Sequence, residues 1–296
     1  MIWIKRFFLF GLVNIAVMVM LSLVLNLLGV QPYLDARGVN YLSLMIFCLL
    51  WGTGGSFMSL SLSKWIAKRF YRLVILQPGT EYDSLLQMTH NIARSAGLPR
   101  MPEVGIFESQ DINAFATGPS KSNSLIAVST GLIEKMDRQE VEGVLAHEIA
   151  HIANGDMVTM TLIQGIINSF VMFLARVVAS AIDNIISGDG EGEGLGFMGY
   201  VVTVFALDII FGLLGTVITS YFSRLREFRA DAGSARLVGR NKMIKALEAL
   251  QADYQTMNKS QTTPMAALQI SHKTKILSLL STHPSLESRI AALRCL

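Results

Sequence analysis

The chain has 296 residues, 51% of them hydrophobic and only 16% charged, with a mean hydropathy of +0.45. That composition excludes a disordered or collagen-like chain and lies outside the range of an ordinary water-soluble enzyme. A net charge of +3 without a dense basic tract excludes nucleic acid as a natural partner. Two cysteines, Cys48 inside an apolar run and Cys295, exclude a disulfide framework.

Four segments are long and apolar enough to be membrane spans, at roughly 20 residues per crossing. The first, 7–30, carries no charge and follows Lys5 and Arg6. It is too long for a signal peptide and no A-x-A cleavage pattern follows it, so an uncleaved anchor is expected. The second covers 39–62. Next comes a helix over 81–96, with Leu85, Leu86, Ile92 and Ala93 at helical spacing and Gly97 and Pro99 ending it. Three β-like runs follow, 103–108, 112–117 and 125–130, the last two separated by Gly118-Pro119-Ser120. They predict a small antiparallel sheet. Asp137 then reads as an N-cap with Glu140 as its capping-box partner, opening a helix over 138–153 that Asn154-Gly155 stops.

The third span, 157–182, holds Arg176 as its one charge, and the fourth, 197–222, holds Asp208. Charges at membrane depth usually face a bundle interior, so these two residues are expected to pair or to line a wet cavity. A buried helical hairpin within a globular domain is the alternative for this pair of segments. Between them, 187–196 is an acidic, glycine-rich loop. Beyond the fourth span a helix is expected over 241–252, capped by Asn241, and Pro264 and His283-Pro284-Ser285 punctuate the rest.

Basic residues fall before the first span (Lys5, Arg6), after the second (Lys64, Lys68, Arg69, Arg72) and after the fourth (Arg224, Arg226, Arg229). The loop between the third and fourth has none. By the positive-inside rule both termini and both soluble pieces are cytoplasmic. The expected organisation is a membrane hairpin (1–62), a first soluble piece (63–156), a second hairpin (157–222) and a second soluble piece (223–296). Neither soluble piece is comfortable as a domain alone, so the two are expected to fold together.

The helix from residue 138 contains His147-Glu148-Ile149-Ala150-His151. Residues four apart share a helix face, so both imidazoles can bind one ion. Zinc takes histidine nitrogen readily, and a catalytic site uses three protein ligands and one open position. Glu148 stands where a zinc protease keeps its general base. Cobalt or manganese could occupy such a donor set in vitro. A third ligand is needed, and Glu227-Phe228-Arg229-Ala230-Asp231 offers two carboxylates on one helical face. One can bind the metal while the other orients a ligand histidine, and spacing alone does not rank them.

The chain resembles the M48 family of membrane zinc endopeptidases, in a bacterial branch. The matching residues are His147–His151 followed by Asn154-Gly155-Asp156, then Glu227–Asp231, Asn113-Ala114-Phe115-Ala116-Thr117-Gly118, and Thr282-His283-Pro284. The resemblance covers essentially the whole chain. It implies a mainly α membrane protein: four transmembrane helices and a zincin-like α+β peptidase domain. It implies one zinc held by His147, His151 and Glu227, with Asp231 behind them and Glu148 as general base. It also implies His283 as a donor to the oxyanion. Physically, 113–118 suits an exposed edge strand that pairs with an extended peptide through main-chain hydrogen bonds, with Asn113, Ala114, Phe115 and Ala116 as the contacts and Phe115 also suited to the core. His90 and His272 read as structural.

The expected activity is peptide-bond hydrolysis in damaged or misfolded membrane proteins, from the cytoplasmic face of a bacterial inner membrane. Partners are the bilayer and unfolded substrates. The oligomeric state is not legible. A processing protease with one dedicated substrate stays open, as does a scaffold that binds clients without cutting, although the intact Glu148 argues against the scaffold.

Overall fold

The computed structural model describes residues 41–187, 194–260 and 280–296. The expected first span, the tip of the acidic loop and His272 lie outside them. Three helices in the described chain are long and apolar enough to cross a membrane: α1 (Tyr41–Phe70), α5 (Asp156–Ser187) and α6 (Gly196–Val238). The chain divides into two units. One comprises the described parts of Met1–Met58 and Leu162–Gly215. The other comprises Ser59–Thr161 and the described parts of Thr216–Leu296.

In the first unit α1 and α5 approach closely through small residues. A side chain at Gly52 would collide with the Ser169 backbone, and Gly165 lies against Thr53. Small residues let helix backbones meet where lipid offers no hydrophobic drive. Arg176 Nη1 lies 4.0 Å from Asp208 Oδ1, so the two expected intramembrane charges do face each other.

The second unit is built on a four-stranded sheet: β1 (Val74–Ile75), β2 (Glu103–Phe107), β3 (Ala114–Ser120) and β4 (Asn123–Ser129), in the order β1-β2-β4-β3. The expectation of an antiparallel sheet is corrected here. β3 and β4 form an antiparallel hairpin, but β2 runs parallel to β4, so the sheet is mixed. The reason is that β3 does not pair with β2. The chain leaves β2 through a loop, passes to the far edge and returns as β4 between them. Gly118-Pro119-Ser120 does not break the strand either. It forms an irregularity within β3, and Gly118 has φ +134, where a Cβ would collide with the Asn123 carbonyl. β1 was not foreseen, since two residues carry no periodicity.

α2 (Asp83–Ser95) ends before Gly97, which is left-handed at φ +69, as its sequence signals require. Ser129 is fully buried and ties three elements together. Its Oγ accepts from Leu132 N–H at the start of α3 (Thr130–Lys135), accepts from Asn113 N–H at 3.0 Å, and donates to the Asp111 carbonyl. The entry to β3 is thereby fixed.

α4 (Arg138–Asn154) carries the paired histidines. Its capping box is complete: Asp137 Oδ1 accepts from Gln139 and Glu140 N–H, and Glu140 Oε2 accepts from Asp137 N–H. Gly155 ends it at φ +74 and bonds back to the last turn. Asp137→Ala is expected to cost about 1 kcal/mol, lowering the thermal midpoint by about 2–4 °C, with Asp137→Asn near wild type; differential scanning fluorimetry checks both. The apolar face of α4 packs on the sheet, on α2 and on α7 (Arg240–Ser260), with Leu145, Ile149 and Ile152 fully buried. Asn241 is not the cap of α7, because the helix begins at Arg240 directly after the left-handed Gly239. α8 (Leu286–Arg294), capped by Ser285, packs on α7 through Ile290 and Leu293.

The fourth apolar segment does not end where its apolar run ends. α6 is one helix of 43 residues from Gly196 to Val238, so the Glu227–Asp231 pair is the continuation of a span-length helix. The apolar run stops near Phe222, but the helical hydrogen bonds do not.

Candidate metal centre

The middle of α4 faces α6. His147 Nε2 and His151 Nε2 stand 3.1 Å apart, with Glu227 Oε1 3.3 Å from His151 Nε2 and Glu227 Oε2 3.6 Å from His147 Nε2. The three side chains bring one donor atom each within 4.8 Å of one another, and Glu227 is only 2% exposed.

The outer ring nitrogens are already committed. His147 Nδ1 lies 2.9 Å from Asp231 Oδ1, and His151 Nδ1 lies 2.6 Å from Asp156 Oδ2. A carboxylate can only accept there, so each Nδ1 is the donor and each neutral ring turns its Nε2 lone pair inward. Two lone pairs and a carboxylate then converge on one point. Such a set is stable only around positive charge, and it matches the nitrogen and oxygen preference of zinc. The donor chemistry therefore fits the metal.

Protons compete for the same position. Burial alone lowers the His151 pKa, but its hydrogen bonds to Asp156 and Glu227 and the charge of Glu148 outweigh that and raise it from 6.5 to about 9. His147 is raised for the same kind of reason, by Asp231 and Glu227 against burial. Glu227 is held far below the usual carboxylate range, because hydrogen bonds from the three histidines around it override its burial. The sign for metal binding follows. A ligand histidine must be neutral, so zinc affinity rises with pH toward about 9, by about tenfold per unit while one proton is displaced. In the metal-stripped protein the same proton acts oppositely. Its contribution to stability is complete below 6.5 and is lost as pH passes about 9. Chelator competition between pH 6.5 and 8.5 checks the first statement, and a flat affinity contradicts it.

Glu148, half-buried beside His147, has its Oε2 2.8 Å from the Ala116 N–H, which donates to it. β3 is an outer strand of the sheet, and this N–H points away from β4. Asn113 enters β3 on the Ser129 hydroxyl, and Phe115 packs at 4.9 Å from Tyr71 and 5.9 Å from Phe107 by ring centroids. Phe115 is half-buried in this aromatic cluster and is not among the buried core residues. His283 Nδ1 lies 2.9 Å from Glu227 Oε2. The sequence candidates His147, Glu148, His151, Glu227, Asp231 and His283 therefore all meet here, and Ala116 joins them through Glu148. His90 is structural, its Nε2 3.1 Å from the Pro102 carbonyl.

Sequence reasoning assigned no role to two residues of this centre. Asp156, first residue of α5, orients His151. Its signal was the position just past the helix-ending glycine, five residues after the histidine. Arg289, on α8 and 6% exposed, holds Asp231 through Nε–Oδ2 (2.8 Å) and Nη2–Oδ1 (2.6 Å), and its Nη1 is 3.3 Å from Glu227 Oε2. Nothing local in the sequence marked it.

A helix bearing two histidines, a carboxylate from a second helix and an acidic residue behind each imidazole define a zinc metallopeptidase centre. Residues 81–296 match Peptidase family M48. Protease HtpX of Shewanella denitrificans is 49% identical over 98% of this chain and 99% of its own length. Protease HtpX of Shewanella oneidensis is likewise 49% identical over 98% of this chain and 99% of its own. The crystal structure of Ste24p from S. mikatae shares the fold, with a TM-score of 0.59 at 20% identity over 93% of this chain and 67% of that one. The chain belongs to Peptidase family M48, and is a membrane metallopeptidase whose zinc-binding group is His147, His151 and Glu227.

Proposed function

We propose that the chain is an endopeptidase that cuts damaged or misfolded membrane proteins from the cytoplasmic side of a bacterial inner membrane. The observation that carries this reading is the hydrogen bond from Ala116 N–H to Glu148. It ties the residue suited to activating water to the strand edge suited to holding a peptide.

Zinc bound by His147, His151 and Glu227 would supply a Lewis acid that acidifies water and polarises a carbonyl. Glu148 takes the proton of the attacking water and returns it to the departing amine. The outward N–H and C=O groups of Ala114 and the C=O of Ala116, whose N–H is held by Glu148, pair with the main chain of an extended substrate, and Asn113 adds a side-chain contact. Such pairing is nearly blind to sequence but demands an unfolded segment. That requirement is what supports damaged proteins as substrates. His283 serves the oxyanion through Nε2, since Nδ1 is turned to Glu227. Donation from both nitrogens requires the doubly protonated ring.

The cytoplasmic orientation rests on the basic residues that follow the second and fourth apolar segments. It divides the chain into hairpins 1–62 and 157–222 and a peptidase formed from 63–156 and 223–296. The test is reconstitution in vesicles with a membrane protein offered native and heat-damaged. Cleavage of the damaged form alone, at loops on the side of the basic clusters, is the expected result. Equal cleavage of both forms at one fixed bond would instead favour a dedicated processing protease.

A further inference from the structure

The sequence leaves open which of two carboxylates one turn apart binds the metal, and the geometry around them contains the device that decides. We propose that Arg289 is a positioning residue that assigns the two roles. It locks Asp231 into service behind His147, and it restrains Glu227 so that a single oxygen is offered to the metal.

The acceptor positions can be followed one by one. Asp231 Oδ1 takes Arg289 Nη2 at 2.6 Å and His147 Nδ1 at 2.9 Å, and Asp231 Oδ2 takes Arg289 Nε at 2.8 Å. Both oxygens are thus spoken for in the planar, two-pronged manner that only a guanidinium provides. Glu227 Oε2 takes His283 Nδ1 at 2.9 Å and lies 3.3 Å from Arg289 Nη1. Glu227 Oε1 lies against the inward lone pair of His151, at 3.3 Å, and is the oxygen left for a cation. One guanidinium therefore engages three of the four oxygens of the pair, with His283 reinforcing the third, although Glu227 Oε2 also lies 3.6 Å from His147 Nε2.

Charge gives the same answer. Glu227 and Asp231 are each 2% exposed and a helical turn apart, so their like charges meet in a poorly screened place. Arg289 is the one arginine within salt-bridge distance of both among the described residues. With zinc and Arg289 together, three positive charges oppose Glu227, Asp231 and Asp156, and Glu148 keeps its own charge for chemistry. A single-oxygen glutamate also preserves the open position that a catalytic zinc needs. Lysine, a compact point charge, cannot span both carboxylates at once.

The test uses the full chain in detergent, with Arg289→Met and Arg289→Lys. Zinc affinity is read by chelator competition, and coordination by the visible absorption of the Co2+-substituted protein. Arg289→Met is expected to weaken zinc by about 10–100-fold, the usual effect of losing a group that orients ligands. Its Co2+ bands should weaken and shift as the freed carboxylate oxygens crowd the ion. Arg289→Lys keeps the buried charge and should fold, with affinity between the two and a similarly altered spectrum; it decides the matter if the methionine variant does not fold. Wild-type zinc affinity and a wild-type Co2+ spectrum in whichever variant folds overturn the proposal. The inference rests on the His147, His151 and Glu227 ligand set. One zinc per wild-type chain with unaltered variants would sink the clamp alone, whereas no zinc in the wild type would sink the ligand set.

Discussion

Glu148→Gln is expected to remove proteolysis, by about 10²–10⁴-fold, while the protein still binds one zinc per chain. The replacement is close to isosteric. The amide oxygen can still accept from the Ala116 N–H that holds Oε2 at 2.8 Å, so the side chain should stay where it is. His147 and His151 are untouched, and their partners Asp231 and Asp156 remain. What is lost is the ability to take a proton from water and to return it to an amine. The measurement is the cleavage rate of a denatured soluble protein in detergent with zinc present, wild type beside the variant, with zinc content determined on the same samples. Equal cleavage by both would remove Glu148 from the role of base. No cleavage by either, with zinc fully bound, would favour a chain that holds clients without cutting them.

The helix bearing His147 and His151 was legible because three independent local signals agree. Asp137 and Glu140 cap its start, the apolar residues recur at helical spacing, and Gly155 ends it. The two histidine ligands were legible for the same reason, since i, i+4 spacing puts both rings on one face whatever surrounds them, whereas spacing did not rank Glu227 against Asp231. The order of the strands was not. Pairing of β2 with β4 in parallel depends on where a loop carries the chain, and no residue in 108–113 encodes that destination. The length of α6 was not legible from hydropathy, because an apolar run and a helix are different things. Hydropathy reports where lipid-like surface ends, near Phe222, whereas the backbone bonds continue to Val238. Glu227 and Asp231 therefore lie on the continuation of a helix whose earlier part is apolar. Asp156 heads α5 in the same way, so both helices of the second apolar pair carry a residue of the metal centre. Arg289 was invisible because its partners lie 58 and 62 residues upstream, and only tertiary packing of α8 on α7 brings it to Asp231 and Glu227.

Glu227→Gln and Asp231→Asn separate a ligand from its support, which spacing on α6 could not do. In Glu227→Gln the donor set loses its only negative charge, leaving two neutral imidazoles and a weakly donating amide for a doubly charged ion. Zinc is expected to fall to a small fraction of one per chain after dialysis against a mild chelator, and proteolysis should fall below detection. Zinc protection against heat should vanish with it: at about 100 times the dissociation constant, a bound ligand stabilises by about 2.7 kcal/mol. Asp231→Asn should behave differently. Its side chain still offers an oxygen to His147 Nδ1, and His147, His151 and Glu227 all remain, so zinc binding should weaken by about 10–100-fold without being lost. Saturating zinc should then restore most of the activity of Asp231→Asn and none of that of Glu227→Gln. The reverse order, with activity recovered in Glu227→Gln and not in Asp231→Asn, would exchange the two roles. It would also contradict the arrangement in which both Asp231 oxygens are already held by Arg289 while Glu227 Oε1 faces His151.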